Sequence, residues 1–400
     1  MLADYNPLHM NTVNWQARPS RHLLLLILVT AGMIFLYGQI PYTTEPYARW
    51  DLYHYRQITA AAPQITNSVQ QPFAYRLLGP YLAGLLPLPD ATAYYLLTVT
   101  AALLLVVLTY FFLLAWPLTP PAALLATLLF VFNKHLFGFN VWDFFALNDV
   151  LSLIFLVILL WALMHQRWPL FALILTLGAA TRETALVMLP VALAYLIERR
   201  LLGQHARALL LASLPGIVVF GALRLLVGHT GGLSLADQLA RSAPKLLAPE
   251  TWFRLLLNSF LPVSLLPLVF WRHTRAFFRG QRYLLVYLTL ILVSAFFGYD
   301  NERLMAPAFI VFYLLIAAII ENLRLTASGG LRWLLVGAGF AASFQHLIGR
   351  YPLPAPWLTT TLSLGATLCA TLACLLVART RRPPTLTPAA LAIHSSFWVI

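Results

Sequence analysis

Apolar runs of about 20 residues recur from one end of the 400-residue chain to the other, broken by short polar or aromatic stretches. As a helix, a run of that length covers the roughly 30 Å hydrocarbon core of a bilayer. The pattern predicts spans at 22–40, 91–115, 118–134, 150–165, 168–180, 185–197, 208–227, 254–271, 283–298, 304–320, 331–347 and 358–378. The expected fold is therefore an all-α polytopic bundle of about twelve spans, within a range of eleven to thirteen, with both termini on one side. Short interfacial helices are expected in the first outer loop. The run at 22–40 is too long for a signal-peptide core and lacks a small-residue cleavage site, so it reads as an uncleaved span. One integral membrane domain covers 1–400, with a cytoplasmic N-terminus at 1–21, a first extracytoplasmic loop at 41–90 and a C-terminal tail at 379–400.

The runs at 168–180 and 185–197 are each short for a bilayer, so they form either one long helix or a hairpin. Charge decides between them. A hairpin puts Arg167 on the same side as Arg199, Arg200 and Arg207, whereas a single span separates them and inverts everything downstream, against the positive-inside rule. With the hairpin, whose tip is Thr181-Arg182-Glu183-Thr184, inner segments hold fifteen cations against three acids. Outer segments hold ten of each, and Arg224 lies within a span. The net charge of +13 is thus mostly an orientation signal and not a nucleic-acid face. Hydrophobic residues make up 60% of the chain and mean hydropathy is +0.79, which excludes a soluble protein. The two cysteines, Cys369 and Cys374, both lie in an apolar run and support neither a disulfide framework nor a metal cluster.

Ten of thirteen acids fall on the outer side, which orientation does not require. Asp90, Asp149, Glu183 and Asp300 open spans, where a carboxylate caps free N–H groups and meets the positive end of the helix dipole. For Asp90 and Asp149 the cap is the favoured reading. Asp51 instead follows a span, among Arg49, His54, Tyr55 and Arg56. If it opens a short helix, His54 and Tyr55 share its face at i+3 and i+4; the plainer reading is an aromatic-belt anchor with an arginine pair. The stretch 71–80 reads as an interfacial helix with Pro72 at its first position and Arg76 in its first turn, set either to hold a lipid phosphate or to snorkel. Asp143 sits in an apolar aromatic loop, with Lys134 or His135 as its candidate partner. Arg182-Glu183 at the hairpin tip and Arg303 beside Asp300 and Glu302 complete the set, and Arg224 reads as a snorkelling cation.

Together, Trp50-Asp51-Leu52-Tyr53-His54-Tyr55, Pro72-Phe73-Ala74-Tyr75-Arg76-Leu77-Leu78-Gly79-Pro80 and Thr181-Arg182-Glu183-Thr184-Ala185-Leu186 resemble the multi-spanning glycosyltransferases of the GT-C fold, among them protein mannosyltransferases and the lipid A aminoarabinose transferase. The resemblance covers the first 200 residues best. It implies transfer of a sugar from a polyprenyl-phosphate carrier to a lipid, glycan or protein acceptor on the extracytoplasmic face, with Asp51 as the catalytic acid of the first outer loop. Arg76, Arg182 and Arg303 would then stabilise the departing phosphate, and Glu183, Asp143 and His54 would orient sugar or acceptor. In the family that acid is often one of a pair, whereas Asp51 stands alone with Glu45 six residues earlier. A divalent cation is accordingly an optional cofactor.

Two other classes compete. A lipid-linked flippase or secondary transporter would place its ionisable groups near mid-membrane at a repeat interface, and a non-catalytic envelope assembly protein would leave them scattered. The chain carries no P-loop, G-x-G-x-x-G, H-E-x-x-H or G-x-S-x-G. Twenty-four arginines against two lysines, with short loops, point to a bacterial inner membrane. No nucleic-acid partner is expected.

Overall fold

A computed structural model describes residues 19–37, 51–66, 69–142, 146–227, 235–297, 300–347 and 356–380. Among them 85% are helical and none lies in a strand. Six helices are long and apolar enough to cross a membrane: Ser20–Tyr37, Asp90–Leu114, Leu147–Met164, Leu202–Leu226, Asn301–Asn322 and Thr360–Thr380. Two bent pairs raise the number to as many as eight, Pro120–Val131 with Lys134–Trp142 at 66° and Trp271–Gly280 with Arg282–Phe296 at 106°.

Twelve spans are not reached on this measure, because an apolar run need not be a continuous helix. The stretch expected to span at 254–271 is instead Pro249–Leu256, Asn258–Phe260 and Leu266–Val269. Pro262 and Pro267 have no N–H to donate there, and the Ser259 hydroxyl donates to the Arg254 carbonyl at 2.8 Å. The runs at 168–180 and 185–197 are helices Trp168–Ala179 and Met188–Glu198, of 12 and 11 residues, about 18 and 16 Å long.

The bundle is layered by burial. Asn301–Asn322 and Leu147–Met164 form its centre, with 83% and 78% of their most apolar windows buried, against 22% for Leu202–Leu226 and 28% for each of the two terminal helices. Leucines left exposed on the outer helices, such as Leu28, Leu210 and Leu372, are what a lipid-facing surface carries.

Hydrogen bonds fix which helix ends lie together. Trp168 Nε1 donates to His205 Nδ1 at 3.2 Å and the Tyr195 hydroxyl to the Met164 carbonyl at 3.3 Å. The start of one short helix and the end of the other therefore lie at the same end, so the pair is a hairpin with its tip at the other. At that basic end Glu198 accepts from the backbone N–H groups of Arg282 and Tyr283, at 3.0 and 2.9 Å. It caps a neighbouring helix across 84 and 85 residues of sequence. Glu321 does the same for the helix beginning at Pro120, accepting from Thr119 N–H at 2.9 Å. Asp51, Asp149, Glu183 and Asp300 lie at the opposite end.

Asp51–Ala61 is a helix, but the stretch 71–80 is not one. It is a single tight turn at Phe73–Tyr75, a corner at Arg76 (φ −98°, ψ 64°), then helix Leu78–Gly84. Two bonds from outside draw the chain out of a continuous helix: Leu78 N–H donates to the Ala180 carbonyl at 3.1 Å, and Gly79 N–H to Asn148 Oδ1 at 3.0 Å. Arg76 thus projects from a corner instead of a first helical turn.

Candidate functional site

Four separate elements converge at the end away from the basic face. Asp51 lies in the first turn of Asp51–Ala61, and Asp149 lies in the first turn of Leu147–Met164. Arg182 and Glu183 form the hairpin tip, and Arg303 lies in the turn Asn301–Leu304 that opens the central helix. Arg303 donates from Nη2 to Asp51 Oδ2 at 2.7 Å and from Nε to Asp149 Oδ2 at 2.7 Å. The other Asp149 oxygen accepts from Arg182 Nη1. Asp149 is 3% exposed and Arg182 7%, so this carboxylate is the hub of the network and is sealed from solvent. A carboxylate so buried needs such partners to remain charged.

Arg76 forms a second arm. Its Nη2 donates to Glu183 Oε1 at 3.1 Å and its Nη1 reaches the buried Tyr55 hydroxyl at 3.5 Å. Its guanidinium lies 5.7 Å from the centre of the Phe73 ring. The corner that carries it is braced from the hub's own helix, because Asn148 Nδ2 donates to the Arg76 carbonyl at 3.1 Å. The side-chain amide of Asn148 therefore holds both Arg76 and Gly79. Gly79 is required for this: a Cβ there would sit 2.4 Å from Asn148 Oδ1.

Electrostatics follow from this arrangement. Burial would raise the Glu183 carboxyl, but the Arg76 and Arg182 guanidiniums outweigh it and hold it at about 2. Burial works against the Arg76 charge too, and Glu183 with Tyr55 more than offsets it, so its pKa lies well above the usual value. The Tyr55 phenol is raised, mainly by burial. His54 stacks on Phe73, ring centres 4.5 Å apart. Burial lowers its pKa, with Asp51 opposing, which leaves the ring neutral at pH 7.

Of the residues singled out from sequence, Asp51, Tyr55, Arg76, Arg182, Glu183 and Arg303 are brought together. His54 lies at the margin. Arg56 is apart, paired with Asp90 at 3.7 Å with both side chains well exposed. Arg49 and Asp143 lie outside the described residues. Asp149 was read from sequence as a helix cap, and here neither it nor Asp90 is the residue that precedes its helix; Asp300 is, accepting from Arg303 N–H at 3.4 Å. The signal that could have exposed Asp149 is the one acid in the otherwise uncharged span Leu147–Met164. Arg224, read as a snorkelling cation, packs on Phe220 and Tyr75 at 3.5 and 4.6 Å from the ring centres.

A separate cluster lies behind Arg303 in the chain. Glu302, 3% exposed, accepts from Arg254 Nε at 2.6 Å and from Asn258 Nδ2 at 3.2 Å, and Asn258 also meets His135 Nε2 at 3.2 Å. Lys134 and His135 thus belong to this neighbourhood. Among the described residues no three of His, Cys, Asp and Glu come together as a metal would require.

The network presents two carboxylates to solvent, Glu183 with its side chain 39% exposed and Asp51. The Asp51 side chain is 30% exposed, with Oδ2 held by Arg303 and Oδ1 carrying no hydrogen bond among the described residues. Beside it stands Arg303 at 19% exposure, a cation with its own buried counter-ion. No family model, curated protein or solved structure matches the chain, so the resemblance to GT-C glycosyltransferases rests on the quoted residues alone.

Proposed function

We propose that this chain is a membrane glycosyltransferase of the GT-C type, moving a sugar from a polyprenyl-phosphate carrier to an acceptor hydroxyl on the extracytoplasmic face. The observation that carries this reading is the Asp51–Arg303–Asp149–Arg182 chain of charges. It sets an accessible carboxylate next to an accessible guanidinium at one end of a helical bundle. A scattered set of charges would suit an assembly protein, and a set at a mid-membrane repeat interface a transporter; the convergence of these charges at helix ends supports the enzyme reading.

In the proposed reaction Asp51 Oδ1 accepts the proton of the acceptor hydroxyl as its oxygen attacks the anomeric carbon. The bond from that carbon to the phosphate oxygen breaks, and its electron pair leaves with the lipid phosphate. Arg303 is the cation best exposed to meet the growing charge. Arg182 and Arg76 act at one remove, through the carboxylates they hold. The residues drawn in from sequence as phosphate ligands thus divide into one facing group and two supporting ones. No step here draws on a divalent cation.

The test is transfer by purified protein from a panel of radiolabelled polyprenyl-phosphate sugars. Transfer by the unaltered chain that falls by about 10²-fold or more in Asp51→Asn is expected, on the usual scale for losing a general base. An Asp51→Asn protein that folds normally and keeps full activity would overturn the assignment.

A further inference from the structure

The second feature of the molecule lies at the other end and is independent of the Asp51 network. Helix Trp271–Gly280 meets Arg282–Phe296 at 106°, so where the latter crosses a bilayer the former runs along its surface. Its arginines, Arg272, Arg275 and Arg279, are spaced three and four residues apart and form one stripe. All three are exposed, while Thr274 and Phe277 are buried on the other side. Phe277 packs against Trp116 with ring centres 6.4 Å apart, and the Thr274 hydroxyl donates to the Pro267 carbonyl at 2.8 Å. The helix is thereby fixed with its basic stripe outward. Trp271, 57% exposed, flanks that stripe, and tryptophan favours the headgroup level of a bilayer.

No acid occurs from 265 to 282, and none of the three arginines forms an ion pair among the described residues. The neighbouring acids, Glu198 and Glu321, already accept backbone N–H groups of adjoining helices. What the stripe lacks is an anion, and the guanidinium fork matches phosphate oxygens.

We infer that Trp271–Gly280 is a binding surface for anionic phospholipid headgroups, which it selects over zwitterionic ones. A surface arginine contributes roughly fivefold to such binding, so three together contribute on the order of 100-fold.

The test is native mass spectrometry of the full chain in detergent, titrated with phosphatidylglycerol or phosphatidylcholine of identical acyl chains. The unaltered protein is expected to retain phosphatidylglycerol more tightly. The R272Q/R275Q/R279Q variant should lose roughly 10- to 100-fold of that affinity with little change for phosphatidylcholine. The R200Q/R207Q/R332Q variant, which removes three exposed arginines elsewhere at the same end, should keep the preference. A protein with no preference, or equal losses in both triple variants, overturns the assignment. Should the first variant fail to elute as a single folded species, R275Q alone should lose roughly fivefold, and an unchanged affinity there overturns it equally.

Discussion

Asp149 and Asp51 share one guanidinium, yet their substitutions should fail in different ways. Asp149 is enclosed, and replacing it with Asn leaves Arg182 and Arg303 facing each other without their carboxylate. Removing one member of a buried charge network typically costs about 3–5 kcal/mol, so Asp149→Asn should show a markedly lower melting temperature in detergent. Asp51 is partly exposed, where an ion pair is worth about 0–1 kcal/mol. Asp51→Asn should therefore unfold close to the unaltered protein while transfer is lost. The two outcomes together test whether Asp149 holds the fold and Asp51 carries the proposed reaction. Glu183 adds a pH dependence. Its carboxyl is held at about 2, below its usual value near 4.5, so its contribution to stability is present above pH about 4.5. That contribution is lost as pH falls toward 2. Thermal unfolding of Glu183→Gln should be flatter across that window than that of the unaltered chain.

At the scale of elements, the corner at Arg76 was the part hidden from the sequence. The run 71–80 carries the signals of a helix, with proline near its start, and nothing local reveals that Ala180 and Asn148 take over its hydrogen bonds. Those partners arrive from 69 and 102 residues away, beyond the reach of any local pattern. Most of the helices were legible because each must present apolar residues to lipid or to its neighbours, whereas 254–271 is apolar and yet broken. Arg76, Arg182, Glu183 and Arg303 were legible because charge is rare in such a chain and must find a partner. Asp149 was misread because the first turn of a helix is also where an acid merely favours the dipole. The brace can be tested through Gly79. A Cβ there meets Asn148 at 2.4 Å, whereas one at Gly337 meets nothing within 4 Å. Gly79→Ala should cost about 1–3 kcal/mol by overpacking and reduce transfer, while Gly337→Ala should be tolerated; melting temperature and activity of the two report it.

For the whole molecule, the hairpin at 168–198 places the Asp51 network and the basic helix at opposite ends. In a background with Cys369 and Cys374 replaced, a cysteine at Gln64 and one at Gln204, both exposed, should be labelled by an impermeant maleimide from opposite sides of sealed vesicles. Labelling from one side would refute this arrangement. The shared guanidinium of Arg303 also has a consequence for biosynthesis. Asp149 and Arg182 are 33 residues apart, but Asp51 and Arg303 are separated by 252. At about 5–20 residues per second, the ribosome takes roughly 13–50 s to go from the first to the second. Throughout that interval the nascent chain holds Asp51 without its cation, so the last charge of the network to be synthesised is the one that completes it.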